Sequence, residues 1–296
     1  YPNALSVSAW GGEDDETPRY GIVKIGVKAG SGSTLTETTK ADIVNKLKPY
    51  NVASVSPQIV DPETTSVLLT STVKYDSSST TKSTDTLKSE IISALLNYNT
   101  NTLQKFDAIY RHSKVTGLID DVDNSILSNI TTVKIRKSFS PTLLSSTKYD
   151  VYFRNALFNP HSGHNMASGG ILSSTGFKID GNDNEMFLDD DGSGNVRLYQ
   201  LTSGIRTYIN STQGTIDYAT GQITLNSLNV ASISNIRGAT STVIELTVTP
   251  DSNDVVPVRD QIIEIDISNS SVSVVSDTFV GGSADAGVGY TTTSSY

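Results

Sequence analysis

No cysteine occurs in the 296 residues, so neither a disulfide framework nor a thiolate metal site is available, and the redox compartment is left open. No apolar run approaches the ~18 residues needed to span a bilayer. Only three histidines are present, and no Gly-x-Ser-x-Gly pattern marks a nucleophile elbow, so a serine-triad hydrolase lacks its parts. Nothing singles out a carboxylate pair for glycosidase work. The glycine-rich stretches Gly30 to Gly32 and Gly281 to Gly289 lack the Lys-Ser/Thr ending of a phosphate loop and read as linkers. Charge is sparse as well, at 18% of residues, while Ser and Thr supply about a quarter, a balance that suits strand-rich surfaces and packed assemblies.

What charge there is lies unevenly. Residues 1–137 carry 15 Lys and Arg against 15 Asp and Glu, whereas residues 138–296 carry 7 against 16. The acidic second half argues against nucleic-acid binding, which requires clustered Lys and Arg at phosphates. The shift also marks a boundary near residue 138. The first residue is Tyr rather than Met, so the chain reads as a fragment of a longer polypeptide.

The expected fold is α+β: an N-terminal mixed sheet with helices on one face, a mostly antiparallel β domain, and an extended C-terminal arm. Residues 1–20, with the single Trp10, a Gly pair and an acidic run, read as a linker. Residues 21–137 read as the α+β domain. Its first strand, IVKIGVKA, alternates Val23, Ile25 and Val27 with Ile22, Lys24, Gly26 and Lys28. Thr34 and Glu37 form a capping-box signature before a helix that ends at Pro49. Residues 66–75 read as a strand, and Leu87, Ile91, Ala94, Leu95 and Tyr98 make one apolar stripe of a helix from Thr84. Short helices around Phe106, Ile109 and Ile119 precede a strand over 131–137.

Residues 138–235 read as a β-rich domain whose best hairpin is GTIDYATGQITL, with Ala219, Thr220 and Gly221 at the turn. Residues 236–280 supply further strands, with packing back on an earlier domain as an open alternative. Residues 281–296 read as an arm that a neighbour would have to hold. The stretch Lys137 to Pro141 is the expected hinge between rigid units.

Several blocks, in order, resemble one family. WGGEDDETPRYGIVKI, SPQIVDPETTSVLLTSTVKYD, LLNYNTNTLQKFDAIYRHSKV and ILSNITTVKIRK follow one another as in the baseplate wedge proteins of T-even-type contractile phages, and STGFKIDGN, FLDDDGSGNVRLYQL and GTIDYATGQITL continue the likeness. The first half is also similar to the broader baseplate J-like family of contractile injection machines. The resemblance implies a ring-forming scaffold of the virion, assembled in the host cytoplasm, with no enzymatic activity and no cofactor. It implies partners too: a second copy in a homodimer, inter-wedge ring contacts around the central hub, and other inner-baseplate wedge proteins, with no nucleic acid and no membrane. The family's N-terminal region has no counterpart in this sequence.

Against that reading stand a few candidate sites. Asp189, Asp190, Asp191, Gly192, Ser193 and Gly194 could wrap a hard cation. Yet an EF-hand register starting with Asp189, Asp191 and Ser193 puts Arg197 at the ninth position and Gln200 at the twelfth, so a solvated hairpin turn explains the residues better. His161 and His164 could share a metal but have no Cys or carboxylate partner nearby. His112, beside Arg111, reads as a surface or interface residue. No catalytic and no cofactor-binding residue is assigned. The alternative function, a receptor- or glycan-binding module of a tail fibre, needs a surface cluster of aromatics, whereas Trp10 lies in the expected linker and the tyrosines are scattered.

Overall fold

The computed structural model describes residues 3–15, 18–30, 34–51, 54–162 and 170–277. The expected arm over 281–296 lies outside them. The described chain is mostly β, with three α-helices.

Strands β1 (Ala4–Gly11), β2 (Ile22–Ala29) and β3 (Ser56–Val60) form a first sheet in that order, β1 antiparallel and β3 parallel to β2. The parallel pair needs a crossover, which helix α1 (Glu37–Leu47) supplies. Its face packs Ile43, Val44 and Leu47 on Ile25, Val27 and Ile59. The reading of residues 1–20 as a linker is corrected here. Val7, Ala9 and Trp10 lie opposite Val27, Ile25 and Lys24, so Trp10 sits on a strand. Ala and Ser alternate there with few large apolar side chains, and the pairing partner, not local propensity, makes the strand. The helix cap also moves: the Thr36 hydroxyl accepts from the Thr39 backbone N–H at 3.3 Å, and Glu37 is already the first helical residue.

The chain continues through β4 (Glu63–Tyr75), helix α2 (Thr84–Tyr98), helix α3 (His112–Asp120) and β5 (Ile126–Phe139). In α2, Leu87, Ile91 and Leu95 are fully buried at the expected spacing, and Ser83 caps the start by accepting from the Thr86 N–H at 3.2 Å. There follow β6 (Ser146–Tyr152), the short β7 (Ser173–Ser174), β8 (Phe177–Ile179), β9 (Asn182–Asp190), β10 (Asn195–Thr202), β11 (Ile205–Asp217) and β12 (Gln222–Ile233). The last strands are β13 (Ile244–Val248), β14 (Gln261–Ile265) and β15 (Ser271–Ser276).

The second sheet runs β14-β4-β5-β13-β7, with β15 also paired to β4, and α2 and α3 lie against its inner face. β4 and β5 are antiparallel, Val67 opposite Ile135 and Leu69 opposite Val133, while β14 and β15 run parallel to β4. Residues 21–137 therefore do not share one mixed sheet. β4 has strand partners on both sides, so β3 has no edge on it to join. Nor is 137–141 a bare hinge. Lys137 and Phe139 pair with Leu246 and Ile244, and the buried Lys137 ammonium donates to the Tyr152 carbonyl at 2.6 Å and meets Glu63 at 2.9 Å.

The third sheet runs β11-β10-β9-β8-β12-β6, and a β11–β12 pairing closes five of its strands into a barrel. Met186, Leu188, Val196, Leu198, Ile223 and Leu225 fill it. The expected β11–β12 hairpin forms: Asp217 accepts from the Ala219 N–H at 2.9 Å and the Thr220 hydroxyl at 2.7 Å. Gly221 has φ 71°, and a Cβ there would sit 2.3 Å from the Asn155 carbonyl oxygen. Val151, Phe153, Leu157 and Leu172 run from the barrel to the second sheet in one continuous buried cluster.

Candidate assembly surfaces and the buried ion cluster

The three consecutive aspartates diverge. Successive residues of a strand point to opposite sides, so Asp189 leaves the barrel wall with Phe187 while Asp190 turns inward with Leu188. Both are 1% exposed, which corrects the expectation of a solvated turn. Asp189 lies opposite Arg197 in the β9–β10 ladder and accepts from its Nε at 2.9 Å, from Arg206 Nη1 at 2.6 Å and from the Tyr208 hydroxyl at 3.0 Å. Arg197 also donates to the Asp190 carbonyl at 2.9 Å, and its guanidinium lies 4.3 Å from the Tyr208 ring centroid. Burial and the bond to Asp189 push the Tyr208 hydroxyl up.

Asp190 ties the barrel to the preceding segment. Its carboxylate accepts from the Ile171 and Leu172 backbone N–H groups at 2.7 and 2.8 Å and from the Tyr218 hydroxyl at 2.6 Å. Burial first, then that bond to Asp190, raises the Tyr218 pKa far above the ordinary phenol range. Asp191 makes most of the turn, accepting from the Ser193 and Asn195 N–H groups at 2.7 and 3.0 Å. Burial opposes its ionisation, but the hydrogen bonds from Asn195 hold its carboxyl below the usual range.

Asp189 and Asp191 thus do not converge on a cation, and their oxygens are already filled by N–H and O–H donors. Among the described residues no group of three or more His, Asp or Glu side chains is placed to hold a metal. His161 is exposed, its Nδ1 3.3 Å from the Ser162 carbonyl, and His164 lies outside the described residues. His112 opens α3, its backbone N–H donating to Asp254 at 2.8 Å.

The tyrosines, scattered in sequence, are partly gathered. Phe187, Tyr199 and Tyr208 lie in register across β9, β10 and β11, with centroid spacings of 5.6 and 5.9 Å. Arg206 sits 4.8 Å from the Tyr199 centroid as Arg197 does over Tyr208, so cations occupy ring faces that a stacked sugar would need. The sequence held one signal for this cluster, the Asp189-to-Arg197 spacing across a Gly-rich turn; the contributions of Arg206 and Tyr208 required the next hairpin to fold over.

That hairpin is the most exposed element of the barrel. Its Ser203-Gly204 turn has both residues at positive φ, 52° and 81°, as a two-residue primed turn requires. Residues 205–212 are exposed throughout, with Ile205 at 72%, Leu201 at 52% and Ile209 at 45%. β11 pairs with β12 only from Gly214 onward, so its outer edge over 205–213 has no strand partner among the described residues. A second open surface is the outer face of the second sheet. There Thr70, Thr72, Ser128, Thr132, Ser271 and Ser273 are all exposed around Ile130. These are flat or projecting, weakly charged surfaces, the kind that large assemblies cover.

Residues 1–60 match the family described as baseplate structural protein gp6, C-terminal domain I, and residues 65–138 match its C-terminal domain III. The first 138 residues are thus similar to the C-terminal part of a baseplate wedge protein. The baseplate wedge protein gp6 of Enterobacteria phage T4 is 29% identical over 140 residues, a stretch that is 46% of this chain and 21% of that protein. The chain thus spans about a fifth of the length of the curated relative it matches. The family is a structural one and not an enzyme family. Its two matched regions follow the sheets: the domain I match closes with β3 at Val60, and the domain III match covers β4, α2, α3 and β5. Among the described residues no helix is long and apolar enough to cross a membrane.

Proposed function

We infer that this chain is a structural subunit of the phage tail baseplate wedge, located in the virion and assembled in the host cytoplasm. It self-associates, joins wedges into the ring around the central hub, contacts other inner-baseplate wedge proteins, and takes part in the baseplate change at contraction. The observation that carries this reading is the pair of matches to the C-terminal domains of a baseplate wedge protein, in chain order and on successive sheets. The exposed apolar hairpin at Leu201, Ile205 and Ile209 supports it, because a monomer has no use for three large apolar side chains on a projecting strand pair. A symmetric pair would use one patch twice, and ring closure needs a second, heterologous contact.

Co-expression with the other wedge subunits, followed by mass measurement, tests the reading. Recovery of a complex containing this chain is expected, and failure to join any complex rejects it. Light scattering of the chain alone addresses the self-contact: only monomer at high concentration counts against it.

A further inference from the structure

Where the face of the first sheet opposite α1 meets the second sheet, a cavity of about 290 Å³ is left. One wall is a row across all three strands of that sheet, Trp10, Lys24 and Gln58, which lie in register. The other wall comes from two corners of the chain, at Arg154 after β6 and at Arg259 and Asp260 before β14. Arg19 completes the rim.

Four cationic side chains thus face two carboxylates, in a chain whose net charge is −9. One carboxylate is already committed. Asp15 lies 2.5 Å from the Lys24 ammonium and accepts from the Trp10 Nε1 at 3.5 Å. The other, Asp260, is pushed up by burial and by Glu63, and is drawn down in turn by Arg154. Arg259 is half-buried, and its guanidinium has no hydrogen-bond or ion-pair partner among the described residues, whereas the exposed Arg19 acts on Asp15 only at longer range. A half-buried cation without an anion is an incomplete arrangement. A second, independent feature lies at the same place. Arg154 and Arg259 both have left-handed backbone, φ 56° and 55°, a conformation costly to non-glycine residues and concentrated at ligand clamps.

We propose that this cavity receives an acidic peptide segment of a neighbouring protein, its carboxylates taking Arg259 and Arg19 while its backbone lies against Trp10. Arginine offers carboxylates a planar, two-pronged donor, and the indole of Trp10 gives the open cavity an apolar wall beside it. A peptide is favoured over a free anion because the site lies at the junction of two sheets of a structural chain and is lined by an aromatic wall as well as by charge. The inference rests on the baseplate reading above, which supplies a protein neighbour.

Trp10 is the sole tryptophan, so its emission reports on this cavity alone. Hexaglutamate titrated into the full chain should change that emission saturably, and Arg259→Gln and Arg19→Glu should each weaken the apparent affinity at least about tenfold, a loss of ~1.4 kcal/mol. No saturable change, or equal affinity in both variants, overturns the proposal. So does inorganic phosphate acting as strongly as hexaglutamate at equal concentration, which would make this a free-anion site. If Arg259→Gln fails to fold by circular dichroism, Arg19→Glu, on an exposed turn, decides. Co-assembly with wedge subunits is measured in parallel. A chain that joins the complex without binding hexaglutamate loses only the cavity assignment; one that binds hexaglutamate but joins nothing loses the baseplate reading.

Discussion

Asp189 shows how a single side chain can organise a surface without being a reactive site. It is buried between two arginines and a tyrosine, and its removal would take the countercharge from Arg197, whose side chain is only 10% exposed. Asp189→Ala should destabilise the chain by about 3 kcal/mol or more, the range for breaking a buried pair on one side, read as a lower urea midpoint. A change under ~1 kcal/mol would contradict this. Acid sensitivity belongs to the same scale. Burial opposes ionisation of Asp266, yet Asn269 and the contact with Arg136 hold its carboxyl below the usual range, and Arg111 does the same for the less buried Asp254. A folded-state pKa below the unfolded value of ~3.9 means the stabilisation is full above that value and is lost as pH falls through the folded one. The urea midpoint should therefore stay flat from about pH 7 to about pH 5 and drop below about pH 4, with a shallower acid limb in Asp266→Asn. A midpoint that rose on acidification would contradict this.

Among the elements, α2 is the one whose sequence and packing agree most closely. Leu87, Ile91 and Leu95 recur every four residues, and all three are fully buried, Ile91 and Leu95 in the cluster shared with the second sheet. Leu95→Ala should cost ~2–5 kcal/mol, and Leu95→Asp more, because an unpaired carboxylate then enters the core. Chemical denaturation followed by far-ultraviolet circular dichroism checks both. The β10–β11 hairpin should behave in the opposite way. Ile205→Asp combined with Ile209→Asp replaces exposed side chains and should shift stability by no more than roughly 0.5 kcal/mol per site. The same pair should abolish co-purification with wedge subunits; retention of the complex would place the contact elsewhere. β1 was illegible for a physical reason. Leu5 and Val7 are its only branched aliphatic residues, and they face solvent, so burial left no pattern in the sequence to read.

Across the whole molecule the apolar packing is divided unequally. The first sheet rests on four buried residues, Val27, Ala29, Leu35 and Ile59, whereas the second sheet and the barrel share a far larger continuous cluster. Local stability tracks such burial, so amide hydrogen exchange should be fastest across β1 to β3 and slowest at Leu69, Val133 and Ile135 in the central strands. Uniform protection across all three sheets would overturn that picture. β13 to β15 return from the far end of the sequence to flank β4 and β5, so the barrel is an excursion between two visits to one sheet.

The sequence by itself determined the elements whose periodicity is strong and whose partners are near: α2, the β11–β12 hairpin, the strand-rich second half and the absence of a thiolate site. The ordered blocks also carried the baseplate resemblance, because recurring segments register ancestry whatever their packing. Tertiary structure alone decided that the aspartates at 189 to 191 part company, that β1 is a strand, and that residues 244–276 complete a sheet begun at 63. Each of these depends on a partner far along the chain, from Arg206 for Asp189 to Val272 opposite Ser71. Local composition cannot encode a distant partner; only the folded chain brings one within a hydrogen bond.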